Sequence, residues 1–302
     1  MDRLDAMATL VAAVEAGSLS EAARRLGTPL ATVSRKVQAL ERLLGTQLVN
    51  RGSRRLTLTE TGRAYIAASK QILDDVAEAE RTASGEYSAP RGDLVVSAPI
   101  VFGRLHVLPV ALEFLLAYPD IDLRLVLSDR VANLIEDRID LAVRIGQLPD
   151  SNLVALRIGS VGRVVCASPA YLERRGTPAE PRDLSSHDCI TFEGLASPNS
   201  WTFGSGAATH AVTIRSRLVV STAEAAIDAA VSGVGLTCVL SYQVARAVQA
   251  GELALVLRDF EPRPSPVSLV HGGQPILPQK LRAFIDFAAP RLRRAALSPA
   301  AP

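Results

Sequence analysis

The 302-residue sequence is poor in the groups on which most enzymes and metalloproteins depend. Histidine occurs only at His106, His187, His210 and His271, scattered without the close spacing that metal ligands need. The cysteines, Cys166, Cys189 and Cys238, are odd in number and form no Cys-x-x-Cys pair. Cys166 and Cys238 stand in apolar strand-like runs, so inert buried thiols are expected, with a redox switch built from two of them as the alternative. The nucleophile elbow GxSxG, the dinucleotide fingerprint GxGxxG and the phosphate loop GxxxxGK are all missing, and no pair of carboxylates is singled out by spacing. Catalysis therefore finds little support, and no cofactor or metal is expected.

Net charge is also scarce, at +2, so total charge alone does not point to nucleic acid. No stretch approaches the roughly 18 uninterrupted apolar residues of a membrane helix. Asp2, Asp5 and Glu15 interrupt the apolar residues at the N-terminus, and no small-residue cleavage site follows, so a secretory signal is not expected. These absences predict a soluble, cytoplasmic protein with no membrane partner. Hydrophobic residues make up 48% of the chain, which excludes general disorder, and the length suits two or three domains.

What is present is concentrated in residues 18 to 58. Ser18 with Glu21 forms a capping-box pattern. Ala22, Ala23 and Leu26 give a short helix one apolar face, which Gly27 ends. Thr28 is expected to cap a second helix with Pro29 at its first position, where a missing N–H costs nothing. Two helices joined by so tight a turn make a helix-turn-helix. Leu4, Met7, Leu10, Val11 and Val14 predict a further helix before them, terminated by Gly17 and packed behind the pair. On the second helix of the motif Val33, Val37, Leu40 and Leu44 form the buried stripe. Ala31, Arg35, Gln38 and Arg42 lie opposite, with Ser34 on the flank.

That outer face suits a major groove, because Arg grips guanine O6/N7 with two bonds and Gln pairs with adenine N6/N7. Gly45 closes the helix. Residues 46–51 and 54–58 then alternate like strands about Gly52-Ser53, carrying Arg51, Arg54 and Arg55 toward phosphates. Double-stranded DNA is the expected partner, contacted by Ser18, Pro29, Ala31, Thr32, Ser34, Arg35, Gln38 and those three arginines. The bland alternative is a small helical domain with a solvated basic face. Charge distribution favours DNA: residues 1–63 hold ten Lys/Arg against six Asp/Glu, a net of +4 that leaves −2 for the remainder.

The same stretch resembles the LysR-type transcriptional regulators. The shared signature is Ala22-Ala23, Leu26, Val33-Ser34, Leu40-Glu41, Leu44-Gly45, Leu48, Arg51 and Leu56-Thr57-Leu58-Thr59 with Gly62. Val49 departs from it, standing where the family usually carries Phe, which alters core packing rather than DNA contact. Over the rest of the chain the resemblance lies in architecture more than in motif.

From Thr59 to about Tyr87 there is no Pro, and Tyr65, Ala68, Ile72, Val76, Ala79 and Ala83 recur every three or four residues. This predicts a long helix with a narrow apolar seam, suited to pairing with a second copy. A helix packed on its own domain is the alternative. The resemblance implies a dimerising linker helix, and a two-fold protein matches a palindromic operator. Residues 84–92 read as a hinge.

Residues 93–302 alternate strand and helix, which argues for α/β sheets with helices on both faces. Expected strands are 93–97, 121–127, 139–143, 153–158, 163–167, 211–220, 235–240, 252–258 and 267–271. Expected helices are 103–118, 131–137, 169–175, 222–231, 242–249 and 278–294. Some 210 residues suit two subdomains better than one sheet. The resemblance implies a periplasmic-binding-protein-like pair, crossed near 160 and 265, with a cleft between. The fold class is thus α/β: an N-terminal winged helix-turn-helix (1–59), a linker helix and hinge (60–90) and an effector-binding domain (91–302). Within the last, subdomain one spans about 91–160 plus 266–302 and subdomain two about 161–265.

Ligands in such sheets sit beyond the C-terminal ends of strands, where helix N-termini favour anions. Pro99, Ile100, Val101, Phe102 and Gly103 form one such junction, and Ser221 with Thr222 another. Arg144 follows a strand and can add a bidentate contact. The resemblance places an inducer between these elements. The expected effector is a small anionic metabolite held by those residues with Asp129 and Gly146, and walled by Phe102, Phe192 and Trp201. The bland alternative has Ser221 and Thr222 merely capping a helix and Arg144 pairing with a nearby acid. The function expected is that of a sequence-specific, effector-controlled transcriptional regulator, homodimeric through the linker helix and tetrameric as in the family. A small-molecule-binding protein or an enzyme on the same α/β fold is the alternative.

Overall fold

The computed structural model describes residues 2–50, 56–84, 89–130, 133–149, 152–193, 199–204, 206, 209–273 and 277–296. The chain forms two compact units, Met1–Ala89 and Pro90–Pro302.

In the first unit, α1 (Arg3–Glu15) begins where Asp2 accepts the Leu4 and Asp5 amides, and α2 (Leu19–Arg25) begins where the Ser18 hydroxyl accepts the Glu21 amide. The Glu21 carboxylate turns to Arg24 and Arg25 along the same helix. Gly27, at φ +59°, closes α2 as the Thr28 amide reaches back to Ala23 and its own amide to Arg24. The third helix, α3 (Leu30–Leu44), starts one residue later than expected. Pro29 occupies the cap position itself, and the Thr28 hydroxyl donates to the Leu26 carbonyl instead of capping.

Ala6, Leu10, Val37, Leu40, Leu48, Val49 and Ile66 make the core of this unit. Leu44 is 39% exposed and leaves the expected stripe, while Glu41 is buried in its place. Two short strands, β1 (Val49–Asn50) and β2 (Thr57–Leu58), pair antiparallel with Val49 opposite Leu58. The Thr59 hydroxyl accepts the Gly62 amide at the start of α4 (Glu60–Ser84). A Cβ on Gly62 would collide with the Leu48 carbonyl, so only glycine lets α4 lie this close.

The second unit holds two five-stranded sheets. The first, in order β4-β3-β5-β14-β6, contains β3 (Gly92–Ala98), β4 (Ile121–Leu127), β5 (Leu141–Ile145), β6 (Leu153–Val161) and β14 (Ser265–Gly272). The second, in order β11-β8-β12-β7-β13, contains β7 (Arg163–Ala167), β8 (Cys189–Phe192), β11 (Ser216–Val220), β12 (Leu236–Leu240) and β13 (Ala254–Val256). The chain passes from the first to the second through Gly162 and returns between Val256 and Ser265.

Helix α7 (Pro169–Arg175) is capped by Ser168, α8 (Ala223–Val231) by Thr222, and α9 (Ser241–Gln249) follows β12 directly. The last helix, α10 (Gln279–Ala296), packs on the first sheet, where Phe284 meets Phe114 edge-on at 4.9 Å.

Four sequence expectations change. The first helix of this unit starts at Ile100 rather than Gly103 and runs as α5 (Ile100–Phe102), a π segment (Gly103–Val107) and α6 (Leu108–Ala117). Pro109 has no N–H to give the preceding turn and its ring would strike a carbonyl of a regular α-helix, so the wider turn just before it relieves the clash. This helix is long and apolar enough to cross a membrane by length and composition. It nevertheless buries Phe102, Val107, Ala111 and Phe114 in the core of the first sheet.

The helix expected over 131–137 does not form in its described part, 133–137. Asn133 and Asp137 side chains capture the Ile135 and Asn133 amides, diverting the backbone into a turn that ends on Arg138 at φ 52°. The strand expected at 211–220 is two. The first part, β10 (His210–Thr213), pairs with β9 (Ser200–Phe203) as a separate ribbon, whereas β11 joins the second sheet. Neither β8 nor β9 was expected, and a 3-10 turn, Pro181–Ser186, fills part of the passage read as loop.

Candidate DNA interface and small-molecule cavity

The outer face of α3 is built by what lies under it. Val33, Val37 and Leu40 are buried, which turns Ala31, Arg35 and Gln38 outward, with Thr32 and Ser34 half-exposed beside them. Gln38 Nε2 donates to Ser34 Oγ at 3.2 Å, which holds the amide along the helix face. Pro29 is exposed at the helix start, and Ser18 spends its hydroxyl on the α2 amide. Arg51, Arg54 and Arg55 lie outside the described residues.

The residue missed by sequence reasoning is Glu41. It is 7% exposed and Oε1 accepts the Leu48 and Val49 amides at 2.9 and 3.2 Å, tying α3 to the first strand of the hairpin. A charged residue one position from the apolar stripe gave the only available hint.

In the second unit a cavity of about 290 Å³ opens between the two sheets. The first sheet and its loops contribute Ser97, Ala98, Pro99, Ser128, Asp129, Arg130 and Ala142 to Gly146, while the other side is lined by Arg163, Phe192, Ala223, Leu240, Tyr242 and Gln243. Of the residues expected to hold an effector, Pro99, Asp129, Arg144, Gly146 and Phe192 line this space. The others do not. Val101, Phe102 and Gly103 are buried behind it, because the π segment turns Phe102 into the core and Gly103 against Leu127. Trp201 is 3% exposed in the core of the second sheet with Phe203, so it is no cavity wall. Ser221 is exposed and Thr222 gives its oxygen to the Ala225 amide; only their neighbour Ala223 reaches the cavity. Ile100 offers its amide, at 3.0 Å, to Asp129 Oδ1.

Sequence reasoning did not single out Arg130, Arg163, Tyr242 or Gln243. Their strand and helix starts are separated by tens of residues, and only the two-sheet arrangement brings them together. Tyr242 stacks edge-on against Phe102 at 5.4 Å and near His106 at 5.6 Å, so a side chain of α9 meets the first sheet's helix. Burial, with the charges of Asp129 and Glu224, pushes the Tyr242 hydroxyl pKa up, which keeps it a donor at neutral pH. Burial likewise pushes the His106 imidazole down, toward its neutral form. Arg104 and Glu224, 3.4 Å apart, add an ion pair from the π segment to α8.

The three cysteines are free and buried in the second sheet. Burial pushes Cys166 and Cys189 up to about 12 and Cys238 to about 11, the reverse of what a reactive thiolate needs. Among the described residues no group of three or more His, Cys, Asp or Glu could hold a metal ion.

A groove-sized helix beside a short hairpin, followed by two sheets around a small cavity of mixed polar and apolar lining, is the build of a ligand-responsive DNA-binding regulator. Residues 4–63 match the bacterial regulatory helix-turn-helix protein of the lysR family, and residues 88–293 match the LysR substrate binding domain. The chain is 36% identical over 289 residues to an HTH-type transcriptional repressor of Pseudomonas aeruginosa, covering 95% of this chain and 91% of that one. To the regulator CrgA of Neisseria meningitidis it is 34% identical over 290 residues, covering 95% and 96%. The solved structure of CrgA superposes with a TM-score of 0.61 over 95% of this chain and 98% of that one, at 33% identity. The full-length Vibrio cholerae virulence activator AphB gives 0.60 over 94% and 98%, at 28% identity. The chain belongs to the LysR family of transcriptional regulators, which bind DNA and small-molecule effectors and are not enzymes.

Proposed function

We propose that this regulator reads its operator through Arg35 and Gln38 of α3, positioned by Pro29, Ala31, Thr32, Ser34 and Ser18, with Arg51, Arg54 and Arg55 on phosphates. The observation that carries the assignment is the outward face of α3, whose Arg35 and Gln38 are exposed directly opposite the buried Val33, Val37 and Leu40. Residues 1–59 form the DNA-binding domain, 60–90 the linker and hinge, and 91–302 the effector domain. The last divides into about 91–160 plus 266–302 and about 161–265. The effector is a small anion bound in the cavity between the sheets, where Arg144 is a first contact. The protein acts in the cytoplasm as a homodimer joined through α4, and pairs of dimers form a tetramer. Effector shifts the regulator between arrangements only by binding them unequally.

Fluorescence anisotropy of the purified protein tests this reading, using DNA from beside its own gene against a scrambled duplex at near-physiological salt. Tighter binding to the native fragment is the expected result. No binding to either duplex at low salt would defeat the assignment.

A further inference from the structure

Glu41 belongs to α3, the helix that presents Arg35 and Gln38, yet its carboxylate is buried against the root of the hairpin. Oε1 accepts the amides of two successive residues, Leu48 at 2.9 Å and Val49 at 3.2 Å. Successive amides that converge on one oxygen form a small anion-holding concavity, filled here by the protein's own side chain. The other side of the same root is gripped from the start of α4. The Thr59 hydroxyl donates to the Gln47 carbonyl at 2.8 Å, and the Thr59 amide to the Leu48 carbonyl at 3.1 Å. The returning strand is fixed where the Leu56 amide donates to the Gly17 carbonyl at 3.1 Å. Among the described residues the ladder has two rungs, Val49 opposite Leu58 and Asn50 opposite Thr57. So short a two-stranded hairpin is marginal on its own, and its direction is set by what grips its root.

We infer that Glu41 is a positioning residue for DNA binding: it locks the root of the hairpin to α3, so that helix and hairpin meet the duplex as one rigid piece. Buried itself, Glu41 acts through the aim of the strand that leads into Arg51. Loss of the shared acceptor frees the hairpin to swing, and swinging arginines make fewer phosphate contacts at once. The inference rests on the reading of Arg51, Arg54 and Arg55 as phosphate contacts.

Fluorescence anisotropy of the full-length protein on the native and scrambled duplexes, repeated over a salt series, tests it. Each phosphate contact adds about 0.9 to the steepness of log K against log salt. Arg54→Ala is the reference and should flatten the slope by about that amount. Glu41→Ala should flatten it by about 1–2 on both duplexes. Glu41→Gln removes the same formal charge but keeps an oxygen within reach of both amides, and should recover most of the lost slope. A variant that is only less stable loses binding by one factor at every salt concentration and keeps its slope. If circular dichroism shows Glu41→Ala unfolded, Glu41→Asp, whose shorter side chain draws back from the two amides, takes its place. Wild-type slopes for the Glu41 variants beside a flattened Arg54→Ala would overturn the positioning role. A Gln variant as flat as the Ala one would overturn it too, by assigning the effect to charge. An unchanged slope for Arg54→Ala would instead defeat the phosphate reading, and the inference with it.

Discussion

Glu41 illustrates how much a single buried carboxylate carries. Its oxygen accepts two backbone amides where α3 hands over to the hairpin, and truncation would take that shared acceptor from both donors. Glu41→Ala is expected to lower stability by roughly 2–4 kcal/mol, given two charge-assisted bonds and a buried site. Urea unfolding followed by helical circular dichroism reads this directly, and a loss under 1 kcal/mol would show that the bonds are dispensable. Arg35 is the opposite case, legible in the sequence because it falls opposite an apolar stripe. Arg35→Ala should cost roughly 1–3 kcal/mol on operator DNA and relax its sequence preference. Equal losses on operator and random DNA would remove Arg35 from base reading. Glu41 was hidden because its type says surface; only the fold shows that the neighbouring amides need it. The same holds for Gly62, whose role depends on the closeness of the Leu48 carbonyl.

At the level of elements, caps and apolar periodicity located most helices and many strands, including α7 and β4 at their full extent. Two of the failures have a local competitor: Pro109 widening a helical turn, and Asn133 and Asp137 taking amides from a would-be helix. The long helix α4 divides in character. Ile66 and Ser69 are buried in its own unit, whereas Ile72 is 41% exposed and Ala79 is also open. That open part of the seam is the surface proposed to pair with a second copy of the helix. Ile72→Glu is expected to shift the protein toward monomer in sedimentation velocity while leaving its far-ultraviolet spectrum intact; an unchanged dimer would place the interface elsewhere. In the second sheet, Cys166 and Cys238 sit on neighbouring antiparallel strands, β7 and β12. Their folded pKa values lie above the unfolded value near 9. Their contribution to stability is therefore complete below about pH 9 and is lost as pH rises toward 11–12, each adding a slope of up to about 1.4 kcal/mol per pH unit. Denaturant midpoints measured at pH 8 and pH 10 should fall accordingly, and midpoints that stay level would show thiols less buried than the structure has them.

The whole molecule joins two kinds of evidence that the sequence offered separately. The helix-turn-helix was largely legible because its caps and apolar stripe are contiguous in the chain, with Thr28 and Leu44 the exceptions. The cavity was legible only in outline, since Ser97, Asp129, Arg144, Arg163 and Tyr242 come from both sheets and meet only once the chain has crossed at Gly162 and returned at Ser265. Each unit has its own core, so each should answer to its own ligand. Scanning calorimetry is expected to resolve two transitions. A ligand at a hundred times its Kd adds about 2.7 kcal/mol to whichever unit binds it. For a unit the size of Pro90–Pro302 that corresponds to roughly 5–10 °C. A ligand of the cavity should therefore move the transition of the C-terminal unit, and operator DNA that of the N-terminal unit. A single transition moved equally by either ligand would mean that the two units unfold as one, and that effector and operator are coupled through global stability rather than through closure of the cavity.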